Sequence, residues 1–278
     1  MAQGDVEVNL SNLNAMKGPV FDGVDDTIAV DGVVTSTAHL NNGAIGMWVK
    51  FRSDDNAQHY VFTISRNADT TDTRFQVQLD LRAGADRILT RMDVDGVKQW
   101  KLEGTADALD AYIDKWVHIL VNHDGTRARI YINGTEDASL FDGQLDATSW
   151  WHELSTATNV ADKATFGAVK DNGASSSFYE GALGTAQIYE KSLTPTQITA
   201  LATQNTTAPG LIHEWNWLDG TYVDSVGSAN GTNSGTFIAA PDDSMQEDVK
   251  DDRTTANDHY MIAGVAGGQV ISTIVEEA

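Results

Sequence analysis

At 278 residues the chain can hold one large β-sandwich with extensions, or two small domains. It has no cysteine, which excludes disulfides, thiolate metal sites and thiol chemistry. Its 18 Lys and Arg against 40 Asp and Glu give a net charge of −22, a potential that repels nucleic acid.

The acidic excess is mostly aspartate, and two explanations stay open. Concentrated salt screens such self-repulsion, and charge also keeps a surface protein from aggregating. The apolar runs are too short to cross a membrane. Met1–Val8 has neither a basic segment nor an apolar core, so no signal peptide is expected.

Residues 1–17 alternate weakly at Val6, Val8 and Leu10, and read as an N-terminal arm or a loose end. The body is a series of short strands. Residues 46–51, 59–64, 75–81, 88–92, 99–102, 116–121 and 127–132 alternate apolar and polar side chains. Asp95-Gly96, His123-Asp-Gly125 and Asn133-Gly134 supply turns between them. Regular spacing without intervening helices predicts an antiparallel sandwich or barrel. In this pattern His118, between Val117 and Ile119, faces solvent.

From Phe141 to Lys163 the alternation stops, which predicts a long loop. Thr194, Pro195 and Gln197 form a capping box for a helix of one to two turns, with Ile198 and Leu201 on one face. Residues 239–259 are polar and acidic, a linker. His259–Val275 is apolar and β-branched, a hairpin or a strand in need of a partner.

Three segments together resemble laminin-G-like, concanavalin A-like domains. Phe21–Val30 is similar to the opening strand pair. Trp116–Gly134 is similar to the central hairpin, and Phe178–Leu193 to the last long strand before a short helix. The resemblance implies an all-β, two-sheet antiparallel jelly-roll sandwich over residues 18–238. The N-terminal arm precedes it, and an acidic linker with a C-terminal β segment, residues 239–278, follows. Gly210–Gly220, with Trp215 and Trp217, resembles a strand that often opens such domains. Here it follows the helix. Terminal strands of this fold can lie side by side, so it is assigned to the same sandwich.

The family also includes glycosidases, which carry alternating carboxylates on one strand. Glu-x-Asp-x-Glu is absent, Asp80 stands alone between Leu79 and Leu81, and no serine has a Gly-x-Ser-x-Gly setting. No enzymatic activity is expected. Trp150, Trp151 and His152, in the expected loop, form the candidate ligand face, because adjacent aromatics can stack on a sugar; the alternative is that they pin the loop to the core. Calcium is the one cofactor left open. Oxygen ligands for it come from Asp22, Asp25 and Asp26, and from Asp171 with Asn172. All of these also serve ordinary turns.

The expected function is a structural protein of a virion: a capsid decoration, turret or fibre-type component of a tailed virus of a halophilic or marine host. It displays a lectin-like domain toward host surface glycans. Its expected partners are other virion proteins and further copies of itself, without nucleic acid or membrane insertion. The alternative is a microbial carbohydrate-binding, lectin-like module.

Overall fold

Strict alternation forces one face of each strand toward a common core, and two such sheets bury each other. The computed structural model describes residues 18–52, 57–68, 73–82, 84–143, 145–171, 173–204, 207–217 and 220–239, with the pairs 265–266 and 269–270.

Sheet A runs β10 (Thr135–Glu136), β9 (Ala128–Ile132), β8 (Val117–His123), β3 (Gly43–Phe51), β15 (Glu180–Tyr189), β1 (Gly18–Asp22) and β18 (Phe237–Ala239). β16 (Leu211–Trp215) also pairs with β15. Sheet B runs β11 (Leu140–Asp142), β7 (Val97–Glu103), β6 (Arg87–Val94), β5 (Arg74–Asp80), β4 (Gln58–Ser65), β12 (Lys163–Phe166), β2 (Thr27–Ala29) and β17 (Thr232–Ser234). The pairings within both sheets are antiparallel. A hairpin, β13 (Val169–Asp171) with β14 (Ala174–Ser176), stands apart from both sheets in its pairing.

The seven expected strands are present, each within three residues of its expected ends. Asp95 and Gly96 both take positive φ, as do Asn133 and Gly134, the geometry a two-residue hairpin turn requires. The late tryptophan segment joins the sandwich: Ala186 of β15 faces Trp215 of β16. The core lies between the sheets, where Met47, Val49 and Phe51 of sheet A join Phe62, Phe75 and Trp100 of sheet B.

Among the described residues three α-helices complete the body: α1 (Gly32–Ser36), α2 (Trp151–Thr156) and α3 (Pro195–Gln204). α3 has the expected cap. The Thr194 N–H donates to Gln197 Oε1 at 2.8 Å, and the Gln197 N–H donates to Thr194 Oγ1 at 3.4 Å. At ten residues α3 is longer than the pattern suggested. Its Ile198 and Leu201 cover the outer face of sheet A, against Ala44, Leu120, Tyr131 and Tyr189.

His118 also lies on that outer face, but it is 2% exposed, not solvated. Its ring meets Trp48 edge-on at 5.3 Å, and burial pushes its pKa down to about 3. A strand pattern shows which face a residue takes, but not whether that face is covered.

Chain contacts separate Met1–Asp242 from Asp243–Ala278. In the second unit Val265–Ala266 pairs antiparallel with Gln269–Val270. The expected N-terminal arm, residues 1–17, lies outside the described residues, as do residues 240–264 of the expected linker and C-terminal segment.

Candidate functional site

The tryptophan pair is not a ligand face. Trp150 and Trp151 are 0% and 1% exposed. The expected loop contains a turn of helix: Trp150 precedes α2, and its N–H donates to Glu153 Oε2 at 2.8 Å. The two indoles stack at 5.0 Å, Trp150 stacks on His123 at 4.9 Å, and Trp151 meets Phe75 edge-on at 5.2 Å. Burying this much aromatic surface stabilises the fold, so the segment is pinned to the core. His152 donates from Nδ1 to the Ala38 carbonyl at 2.8 Å and ties α2 to residues 38–40.

Asp22, Asp25 and Asp26 do come together, with one carboxylate oxygen of each within 4.8 Å of the others. Asp22 and Asp25 are exposed and Asp26 is buried. Burial raises the Asp26 pKa; the charges of Asp22 and Asp25 add to this, against a hydrogen bond from the Asp22 N–H. Hard oxygen donors carrying mutual repulsion fit a calcium ion chemically. Part of the donor capacity is already used: Asp22 Oδ1 accepts from the Val24 N–H at 2.8 Å. Asp171 ends β13, and Asn172 lies outside the described residues.

The outer face of sheet B presents a different chemistry. On β5, Phe75, Val77 and Leu79 point into the core. The intervening side chains, Arg74, Gln76, Gln78 and Asp80, line the other face. Register places Arg91 of β6 opposite Gln76, Arg87 opposite Asp80, and Lys101 of β7 opposite Arg91.

Polar side chains on a sheet's outer face ordinarily meet water. Here Gln76 and Gln78 are 3% and 2% exposed, and the side chains of Asp80 and Asp93 are fully buried. Each aspartate sits between two arginines. Asp93 accepts from Arg74 Nε at 3.0 Å and from Arg91 Nε at 2.8 Å. Asp80 accepts two bonds from Arg82, at 2.6 and 2.8 Å, and lies 3.7 Å from Arg87 Nε. Burial alone would raise the Asp80 pKa, but the Arg82 hydrogen bonds and the charges of Arg82 and Arg87 hold it below the usual range. Asp80 has no second carboxylate beside it on β5; its partners are cations from the turn after β5 and from the neighbouring strand. Glu103 pairs with Arg87 at 3.2 Å and with Lys101.

Between these clusters the amides are incompletely satisfied. Gln76 Nε2 donates to Gln78 Oε1 at 2.8 Å. Gln76 Oε1, Gln78 Nε2 and Arg87 Nε are buried without a hydrogen-bond partner. Ser65 Oγ and Thr165 Oγ1, on the neighbouring strands β4 and β12, share this condition. A buried polar atom left unpaired costs about 1–3 kcal/mol, so such a concentration calls for an explanation. Little in the sequence signals it, because these residues look the same as ordinary solvated ones.

A second constellation has the bond order of an acyl-transfer triad. Ser36 Oγ lies 2.6 Å from His213 Nε2, and His213 Nδ1 lies 2.6 Å from Asp224 Oδ2. Its surroundings are those of a structural tie. His213 and Asp224 are 2% and 4% exposed, and a Cβ on Gly227 would come within 2.5 Å of His213 Nδ1. Burial alone would raise the Asp224 pKa, but His213 and the N–H groups of Gly227, Glu214 and Ala229 hold it well below the carboxylate range. The relay fastens α1 to β16 and to the turn that follows it.

Two eight-stranded antiparallel sheets with this connectivity define a lectin-type jelly-roll sandwich. A family description, the concanavalin A-like lectin/glucanases superfamily, matches residues 22–199, and the chain belongs to that superfamily. No curated protein matches it in sequence.

Solved structures share the fold at low identity. The CBM40 of Ruminococcus gnavus IT-sialidase, bound to α2,3-sialyllactose, is 15% identical at a TM-score of 0.52, over 67% of this chain and 98% of that one. A candidate carbohydrate-binding protein of Bacteroides ovatus is 13% identical at 0.56, over 82% and 60%. A heptameric SAP-like pentraxin of Limulus polyphemus is 13% identical at 0.50, over 82% and 96%.

Proposed function

We propose that the chain is a non-catalytic carbohydrate-binding module that receives a saccharide on the outer face of sheet B. The observation that carries this reading is the polar character of that face, where the part-exposed Arg91 and Lys101 stand beside the buried, unpaired Gln76 Oε1 and Gln78 Nε2. A sugar hydroxyl both donates and accepts, so neighbouring hydroxyls complement such a pair. The fold supports the reading, since it is shared with a sialidase module whose structure contains sialyllactose. Asp22, Asp25 and Asp26 would hold calcium near β1 and β2, as a structural or ligand-assisting ion.

A glycan array is the first test. Saccharide binding is expected, and an array with no bound member would contradict the proposal. Calcium should raise the melting temperature of the protein but not that of Asp25→Asn; equal shifts in both would remove the ion from this site. A fluorophosphonate probe should leave Ser36 unlabelled, and stoichiometric labelling there would overturn the non-catalytic reading.

Display of the same module on a virus particle of a halophilic or marine host is a second reading, favoured by the charge of −22. Mass spectrometry of purified particles tests it, with absence of the chain the contrary result.

A further inference from the structure

We infer that the saccharide taken by this face is anionic, its charged group held by Arg91 and Lys101 beside the Gln76–Gln78 amides. The inference rests on the saccharide reading above and names its ligand class.

Three observations lead to it. First, the face carries surplus positive charge although the chain is strongly acidic. Buried Asp93 is shared by Arg74 and Arg91, and Asp80 and Glu103 are shared by Arg82, Arg87 and Lys101. Among the described residues the second cluster has one more cation than carboxylates.

Second, Arg91 and Lys101 stand directly opposite each other on β6 and β7. Like charges in that position repel, and an anion between them reverses the sign of the interaction. Their side chains are 31% and 27% exposed, so a ligand can reach both. Arg91 spends its Nε on Asp93, which fixes the guanidinium plane. A planar, oriented guanidinium suits the two oxygens of a carboxylate or sulfate.

Third, Gln76 faces Arg91 across the β5–β6 ladder. The unpaired Gln76 Oε1 and, through its hydrogen bond to Gln76, the Gln78 amide lie beside the cationic pair, and a saccharide ring meets these buried atoms when the side chains over them move aside. The overall charge of −22 repels anions at long range. At 0.15 M salt that field is screened within about 8 Å, and the local pair decides affinity.

The test is a glycan array at 0.15 M salt with neutral, carboxylated and sulfated members, followed by titration of the best ligand and its neutral counterpart. The anionic form should bind at least ten-fold tighter. Arg91→Gln with Lys101→Gln should lose at least ten-fold for the anionic form and change the neutral form little. Arg91→Lys, which keeps charge but loses the planar fork, should fall between. Circular dichroism and melting of each variant separate lost folding from lost binding.

Carboxylated members alone, or sulfated members alone, would identify the source of the charge. Equal affinity for anionic and neutral forms would overturn the anionic class while leaving the saccharide reading intact. An array with no bound member would overturn both.

Discussion

The outer faces of the two sheets were built from the same alternating pattern and ended in opposite states. On sheet A the outward positions include Ala44, Leu120 and Tyr189, and α3 lies on them with Ile198 and Leu201. That face is closed by largely apolar packing, with Trp48 Nε1 and His118 Nδ1 buried on it without a partner. On sheet B the outward positions of β5 and β6 are glutamine, arginine and aspartate with the one buried Leu89, and buried polar atoms there lack partners. Both faces hold polar atoms out of water at a cost, but on sheet B five of them gather on four neighbouring strands. Such a concentration is expected where a surface is kept for a ligand.

The contrast can be broken by substitution. Trp150→Ala should cost about 3–5 kcal/mol of unfolding free energy, because a fully buried aromatic leaves a cavity. Urea denaturation measures it, and a loss below about 1 kcal/mol would mean that the indole stack does not hold the core.

His118 sharpens the comparison on the closed face. Its folded pKa of about 3 lies below its unfolded value of 6.5, so the unfolded chain takes up the proton first. Its contribution to stability is complete above pH 6.5 and is lost as pH falls toward 3, by at most about 1.4 kcal/mol per pH unit. His118→Gln should flatten the urea midpoint between pH 6.5 and 4.5; an unchanged slope would mean that the imidazole is solvated.

On the outer face of sheet B the sign should reverse. Gln76→Leu with Gln78→Leu removes the unpaired amide atoms and should leave stability unchanged or raise it by about 1 kcal/mol. A large loss in the same urea experiment would show that the amides serve the fold. The smallest effect is that of salt. Raising sodium chloride from about 0.01 M to about 1 M screens the self-repulsion of the −22 charge and should raise the melting temperature by a few degrees. A flat profile would weaken the high-salt reading.

The strands, their turns and the α3 cap were legible because they depend on local periodicity and on residues such as Gly134, whose φ is +79°. The late strand at Trp215 was legible through its likeness to an opening strand. The binding face was not. Gln76 and a solvated glutamine look alike in a strand, and only the register with Arg91 and the burial of Asp93 separate them. Trp150 and Trp151 misled for the converse reason. Outside any alternation they read as a loop, whereas one helical turn places Trp151 and Leu154 on a common inward face. That three-residue spacing, with Glu153 three positions after Trp150, was the signal available.

The central claim is that the outer face of sheet B is the saccharide site. Isothermal titration of the best array glycan into the wild-type protein and into the folded Gln76→Leu, Gln78→Leu variant tests it most directly. Affinity at least ten-fold weaker in the variant is the predicted result, and equal affinity in the two proteins would contradict it.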